Sequence, residues 1–103
     1  MRQARVFVKG VQAGVLEELN RGTEYVFRYL DDYRDDPVSL TMPVKIKETR
    51  FDGFPPFFDG LLPEGIQLDG LLRSRKLDRD DYFGQLMAVG ADLVGNVTLE
   101  EEA

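Results

Sequence analysis

The twelve residues from Phe51 to Leu62 constrain this chain more than any other stretch. Six of the twelve are Phe or Leu, and four of the chain's seven phenylalanines lie there. Pro55, Pro56 and Pro63, with Gly53, Gly60 and Gly65, punctuate the same region, so no long helix or strand can run through it. Apolar side chains at this density in an irregular segment have two destinations, the centre of a fold or the surface of a partner.

At 103 residues the chain reads as a single domain, 1–103, long enough to bury one core without staples. Cysteine and histidine are both absent. That removes disulfides, thiolate metal sites and cysteine nucleophiles, along with the commonest general base and the commonest metal ligand. Ser39 and Ser74 have no histidine to activate them. Asp59 and Glu64 could pair as acid and base, but among 19 acidic residues such a pairing carries little information. The glycines of Gly90–Gly95 lack the lysine of a phosphate loop, and Asp31, Asp32, Asp35 and Asp36 lack the pattern of a calcium loop. The expectation is a non-enzyme with no catalytic residue, cofactor or metal.

A net charge of −6 opposes phosphate backbones. Arg73, Arg75, Lys76 and Arg79 form the one basic patch, and Asp78, Asp80 and Asp81 offset it, so it reads as a solvated helix face. No apolar run reaches membrane-span length, and no signal-peptide core follows Met1. The lack of cysteine fits a reducing compartment. The expected location is cytoplasmic, with no direct nucleic-acid or membrane contact.

Local patterns predict the elements. Residues 4–9 read as a strand with Val6 and Val8 on one face and Phe7 on the other, turning at Gly10-Val11-Gln12 into a second strand over 13–19. Asn20-Arg21-Gly22 turns again, and 23–30 alternate with Tyr25, Phe27 and Tyr29 on one side. Residues 31–37 read as a solvated turn, 38–44 as a short strand, and 45–50 as a polar connection or ragged edge hairpin. Leu68, Leu71 and Leu72 predict a helix over about 63–76, with Pro63 in its first turn. Asp78 then caps a second helix lined by Tyr82, Phe83, Leu86, Met87 and Val89 and stopped by Gly90. A closing strand over 93–99, with a bulge at Gly95, leads to a frayed acidic tail, 100–103. The fold class is α+β: an antiparallel β-meander with two or three C-terminal helices packed on one face and a closing C-terminal strand.

The opening segment thereby divides. Phe57, Phe58 and Leu61 are expected in the sheet–helix core. Leu62, Pro63, Glu64, Gly65 and Ile66 are the candidate partner-binding tip, because Ile66 need not align with the leucine stripe and stands among charges; the alternative is that Ile66 tucks into the domain's own core.

Four strings occur in order: Ser39-Leu40-Thr41-Met42-Pro43, Phe57-Phe58-Asp59-Gly60-Leu61-Leu62-Pro63-Glu64-Gly65, Asp81-Tyr82-Phe83-Gly84-Gln85-Leu86, and Val89-Gly90-Ala91-Asp92-Leu93-Val94-Gly95-Asn96-Val97-Thr98-Leu99. Together they resemble the N-terminal subdomain of HipA-type serine/threonine kinases over nearly the whole chain. Gly60 departs from the usual Asn or Asp, and Asn96 from the usual Ala. Those kinases continue into a phosphate-binding loop, a catalytic Asp and a metal-binding Asp, whereas this chain ends at Ala103. It is therefore similar to a free-standing subdomain, like the HipS-type subunit of three-part HipBST toxin–antitoxin systems. The resemblance implies an antitoxin that binds a HipA-like or HipT-like kinase and neutralises it by steric contact, with a helix-turn-helix HipB-like protein as a further partner. The alternatives are a non-inhibitory subunit completing the kinase N-lobe, or an N-terminal fragment of a full kinase.

Overall fold

The computed structural model describes residues 2–93 and 95–102. Three strands follow in succession, β1 (Arg2–Val8), β2 (Val11–Asn20) and β3 (Glu24–Tyr29). Then come a short edge strand β4 (Glu48–Phe51), helices α1 (Pro56–Asp59), α2 (Gly65–Arg75) and α3 (Tyr82–Val89), a single 3-10 turn at Gly90–Asp92, and β5 (Val97–Glu102). The five strands form one sheet in the order β4-β3-β2-β1-β5, antiparallel at every pairing. The α+β architecture is as expected, and the C-terminal strand closes the sheet beside β1.

Period-two alternation decides which face is buried. Ala4, Val6 and Val8 of β1, Leu16 of β2, Tyr25, Phe27 and Tyr29 of β3, and Leu99 of β5 are all nearly or fully buried on the helix-bearing side. The aromatic row of β3 organises what lies above it. Tyr25 meets Phe54 edge-on at 5.4 Å and Phe83 of α3 at 6.2 Å. Phe27 meets Phe58 of α1 at 6.3 Å, and Tyr29 stacks on Tyr33 at 5.9 Å. Such pairs add roughly 0.5–1.5 kcal/mol each beyond area burial. The opposite face carries charged side chains joined across strands: Arg5–Glu100 at 3.3 Å, Arg28–Glu48 at 3.0 Å, and Arg28–Glu17. The ion pairs edge this face toward solvent, while the cross-strand partners Val26 and Glu17 on it are 0% and 6% exposed.

One strand position admits only glycine. A Cβ at Gly14 would lie 2.1 Å from the Arg28 carbonyl oxygen and 2.8 Å from the Phe27 ring. Gly14 sits where β1 and β2 shift register, between Val6 and Phe7. Gly14→Ala is expected to destabilise the domain by about 2–3 kcal/mol through overpacking. Chemical denaturation should show a lower midpoint at unchanged slope.

Several elements depart from the sequence expectation. The first turn is at Lys9–Gly10, not Gly10–Gln12. Both residues take positive φ, 50° and 81°, the two-residue reversal whose twist matches paired strands. The second turn holds Gly22 at φ 76° as expected. Residues 38–44 are not a strand. Ser39 and Met42 form an isolated bridge around a tight turn, and the Thr41 N–H donates to the Ser39 hydroxyl at 3.3 Å, a local alternative to ladder pairing. Instead 48–51 supply the edge strand. α1 is a single turn the Pro/Gly punctuation obscured, with Pro56 at its start.

α2 begins at Gly65, so Pro63 precedes it, and its three leucines are only half-buried. α3 is capped by Asp81 rather than Asp78: its carboxylate accepts from the Gly84 N–H at 3.1 Å. Of the residues expected to line α3, Phe83 and Leu86 are buried, Met87 and Val89 half-buried, and Tyr82 is exposed. Gly90 does not terminate the helical path with a left-handed residue but passes into the 3-10 turn. A side chain there would strike Leu99, its Cβ falling 2.6 Å from the Leu99 carbonyl oxygen. Gly95 precedes β5 instead of bulging it, and Val94 lies outside the described residues. Glu100–Glu102 are strand, not frayed tail, because the ladder with β1 satisfies their backbone; Ala103 lies outside the described residues.

Candidate functional site

The candidate tip grows out of α1. Leu61 and Leu62 donate their N–H groups to Phe58 and Asp59 at 3.1 and 3.2 Å, prolonging the turn, and both side chains pack half-buried against the core. Pro63 is half-buried. Glu64 is extended and exposed, and its side chain caps nothing. Gly65 then takes φ +59°, a backbone state that costs an L-residue roughly 1–2 kcal/mol. This reversal starts α2 at once, so that Ile66 occupies its first turn.

Ile66 is 89% exposed. Helical geometry explains why. At about 100° per residue, Leu68, Leu71 and Leu72 lie roughly 140–240° around the helix from Ile66. The leucines, half-buried, lie on the other side of the helix from the exposed Ile66. The residue one turn on is Gly70, which has no side chain to lay over it. The five candidate residues thus form one continuous segment: Leu62 and Pro63 rooted in the domain, Glu64, Gly65 and Ile66 presented to solvent. Asp59 is also exposed and belongs to the same rim.

A second cluster had no sequence signature, since its members are 79 residues apart at the extremes. On the helix-bearing face, Arg2 makes a two-pronged pair with Glu18, Nε–Oε1 2.8 Å and Nη2–Oε2 3.0 Å, and reaches Asp81 at 2.9 Å. Glu18 also accepts from the Tyr25 hydroxyl at 3.0 Å and the Gly22 N–H at 3.1 Å. The guanidinium lies 5.2 Å from the Phe83 ring centre. Burial pushes the Glu18 and Asp81 carboxyls up, but Arg2 and the backbone N–H groups outweigh it and hold both below their ordinary values. Burial and Glu18 together raise the Tyr25 hydroxyl. Every acceptor is occupied from inside, so the network fixes the start of α3 to the sheet.

Its energetic consequences can be measured. Arg2→Met leaves Glu18 and Asp81, 4% and 13% exposed, without their shared cation. Breaking a fully buried pair costs about 3–5 kcal/mol; Arg2 is 28% exposed, so solvent screening lowers the expected loss to about 2 kcal/mol. Because both carboxyls are depressed in the folded state, their contribution is complete above the ordinary carboxylate range, about 4, and is lost as pH falls through the lower folded values. Melting temperature followed from about pH 6 to pH 2 should drop in acid for the native chain, with a shallower slope in Arg2→Met.

The remaining sequence candidates do not assemble a site. Arg79 pairs with Asp69 at 2.7 Å, while Asp81, expected to offset the basic patch, is engaged by Arg2. Ser74 donates to the Leu71 carbonyl at 3.3 Å. Asp31, Asp32, Asp35 and Asp36 are exposed, and Lys9 pairs with Asp36 at 2.9 Å. Among the described residues, no group of three or more Asp, Glu, His or Cys side chains is arranged to hold a metal, and no helix is long and apolar enough to cross a membrane.

Comparison with known proteins gives the fold its relatives. A family model described as the HipA N-terminal domain matches residues 4–100. An uncharacterized protein of Haemophilus influenzae is 32% identical over 102 residues, covering 99% of this chain and 94% of the relative. A solved structure described as the N-terminal domain of HipA toxin aligns with a TM-score of 0.78 at 30% identity, covering 100% of this chain and 94% of that one. The matched span is the N-terminal domain and contains no kinase core. The chain belongs to the HipA N-terminal domain family.

Proposed function

We propose that this chain binds a HipA-type serine/threonine kinase and neutralises it by steric contact through the Leu62–Ile66 tip. The observation that carries this reading is Ile66: a β-branched apolar residue, 89% exposed, held at the start of a helix by a left-handed glycine. A scattered exposed apolar side chain on a loose segment needs no explanation, but an apolar tip in a fixed conformation suits docking, because little ordering entropy remains to be lost. Glu64 beside it is free to meet a cation on the kinase. The absence of histidine and cysteine also fits a role as ligand of an enzyme.

A second reading makes the chain a non-inhibitory subunit that completes the kinase N-lobe. The helix-free sheet face with its cross-strand ion pairs would then be the docking side. Phosphoryl transfer by a purified HipA-type kinase from the same genome separates the two. Dose-dependent loss of activity on adding the chain supports neutralisation; binding with undiminished or increased activity supports completion; no binding removes both.

A further inference from the structure

The most exposed large apolar residue in the described structure is not Ile66 but Leu40, at 95%. Its exposure does not come from a loose loop. Val38 and Met42 on either side are 5% and 2% exposed, inside the core. The Tyr29 hydroxyl accepts from the Val38 N–H at 2.9 Å and donates to the Met42 carbonyl. Met42 N–H closes the turn on the Ser39 carbonyl at 3.0 Å, and Ile46 N–H closes the next on Pro43 at 3.0 Å. The segment is pinned at its base and presents Leu40 outward, with Ile46 half out at 50%. A polar residue would serve the turn equally well, so the fold itself does not call for leucine at this position.

Charge narrows the occupant. Residues 37–47 contain Lys45 and Lys47, both exposed, in a chain of net charge −6. Of the acidic residues that flank them, Asp36 is paired with Lys9 and Glu48 with Arg28 and Arg50, while Lys47 Nζ also donates to the Asp31 carbonyl at 3.4 Å. An acidic, apolar surface complements them; an anionic membrane would meet only two partly apolar contacts against that net negative charge. Position narrows it further. The segment is anchored on Tyr29, and the Leu62–Ile66 tip is rooted through Phe58 on Phe27, whose ring lies 4.8 Å from that of Tyr29. Both exposed residues therefore arise from the same, helix-bearing side of β3.

We propose that the Leu40–Lys47 segment is a second contact surface for the same kinase, placing Leu40 in an apolar pocket bordered by carboxylates. This rests on the kinase-binding reading above. The test titrates the full chain, Leu40→Ser, and Lys45→Glu/Lys47→Glu against a purified HipA-type kinase from the same genome at two salt concentrations. Melting temperatures of the variants should match the parent. Leu40→Ser should bind at least tenfold more weakly, and the lysine variant should lose affinity most at low salt. Undiminished affinity in both variants, with a parent that binds, overturns this inference alone. A parent that does not bind the kinase overturns both it and the proposed function. Kinase affinity unchanged, while Leu40→Ser abolishes either self-association in sedimentation or binding to phosphatidylserine vesicles, overturns it in favour of a second copy or a membrane.

Discussion

Ile66→Asp is expected to abolish neutralisation of the kinase while leaving the fold intact. Burying an isoleucine side chain contributes roughly 1.5–3 kcal/mol, and forcing an unpaired carboxylate into the same apolar contact costs at least as much again. A combined loss of about 4 kcal/mol is on the order of a thousandfold in affinity. Because Ile66 is 89% exposed and sits opposite the leucine stripe of α2, melting temperature should stay within about a degree of the parent. Growth of cells expressing the kinase should be rescued by the parent and by Ile66→Val, and not by Ile66→Asp. Rescue by the aspartate variant would remove the tip from the interface.

Phe58→Ala, eight positions earlier, should behave in the opposite way. Phe58 is fully buried, with Phe57 edge-on at 5.2 Å and Phe27 at 6.3 Å. Truncating a buried phenylalanine costs about 3–5 kcal/mol, partly through the cavity left beneath α1. That is a large share of the roughly 5–15 kcal/mol available to a domain of this kind. At about 4–8 °C per kcal/mol, the melting temperature should fall by roughly 12–40 °C. Kinase binding should be lost only in proportion to unfolding, and should return at low temperature where the variant is folded. A stable Phe58→Ala domain would mean that the aromatic row of β3 does not support the helical layer.

Both results test how one irregular segment is divided between core and surface. Much of the frame was legible beforehand. The period-two run Tyr25, Phe27, Tyr29 announced a half-buried strand, and all three are buried. The meander, the change to helical spacing after Gly65 and the antiparallel closing strand follow from side-chain periodicity, which is a local property. Residues 38–44 defeated that rule. Val38, Leu40, Met42 and Val44 alternate like a strand, yet a serine–threonine turn sends Leu40 outward and the Tyr29 hydroxyl takes the backbone groups of Val38 and Met42. Glu100–Glu102 failed the opposite way, since a waiting ladder on β1 outweighs the poor strand preference of glutamate.

By itself, the sequence determined the fold class, the lack of histidine- or cysteine-based chemistry, and the family, because each rests on residue identity and short-range spacing. Only the tertiary structure decided which apolar residues are left outside and which charges are inside. Ile66 and Leu40 are exposed because a left-handed glycine and a pinned turn aim them away from a core that Phe58, Val38 and Met42 already fill. Arg2, Glu18 and Asp81 share one ion network because the meander and α3 bring distant positions to the same end of the sheet. Exposure and long-range pairing are properties of the packed chain, and no local window of residues contains them.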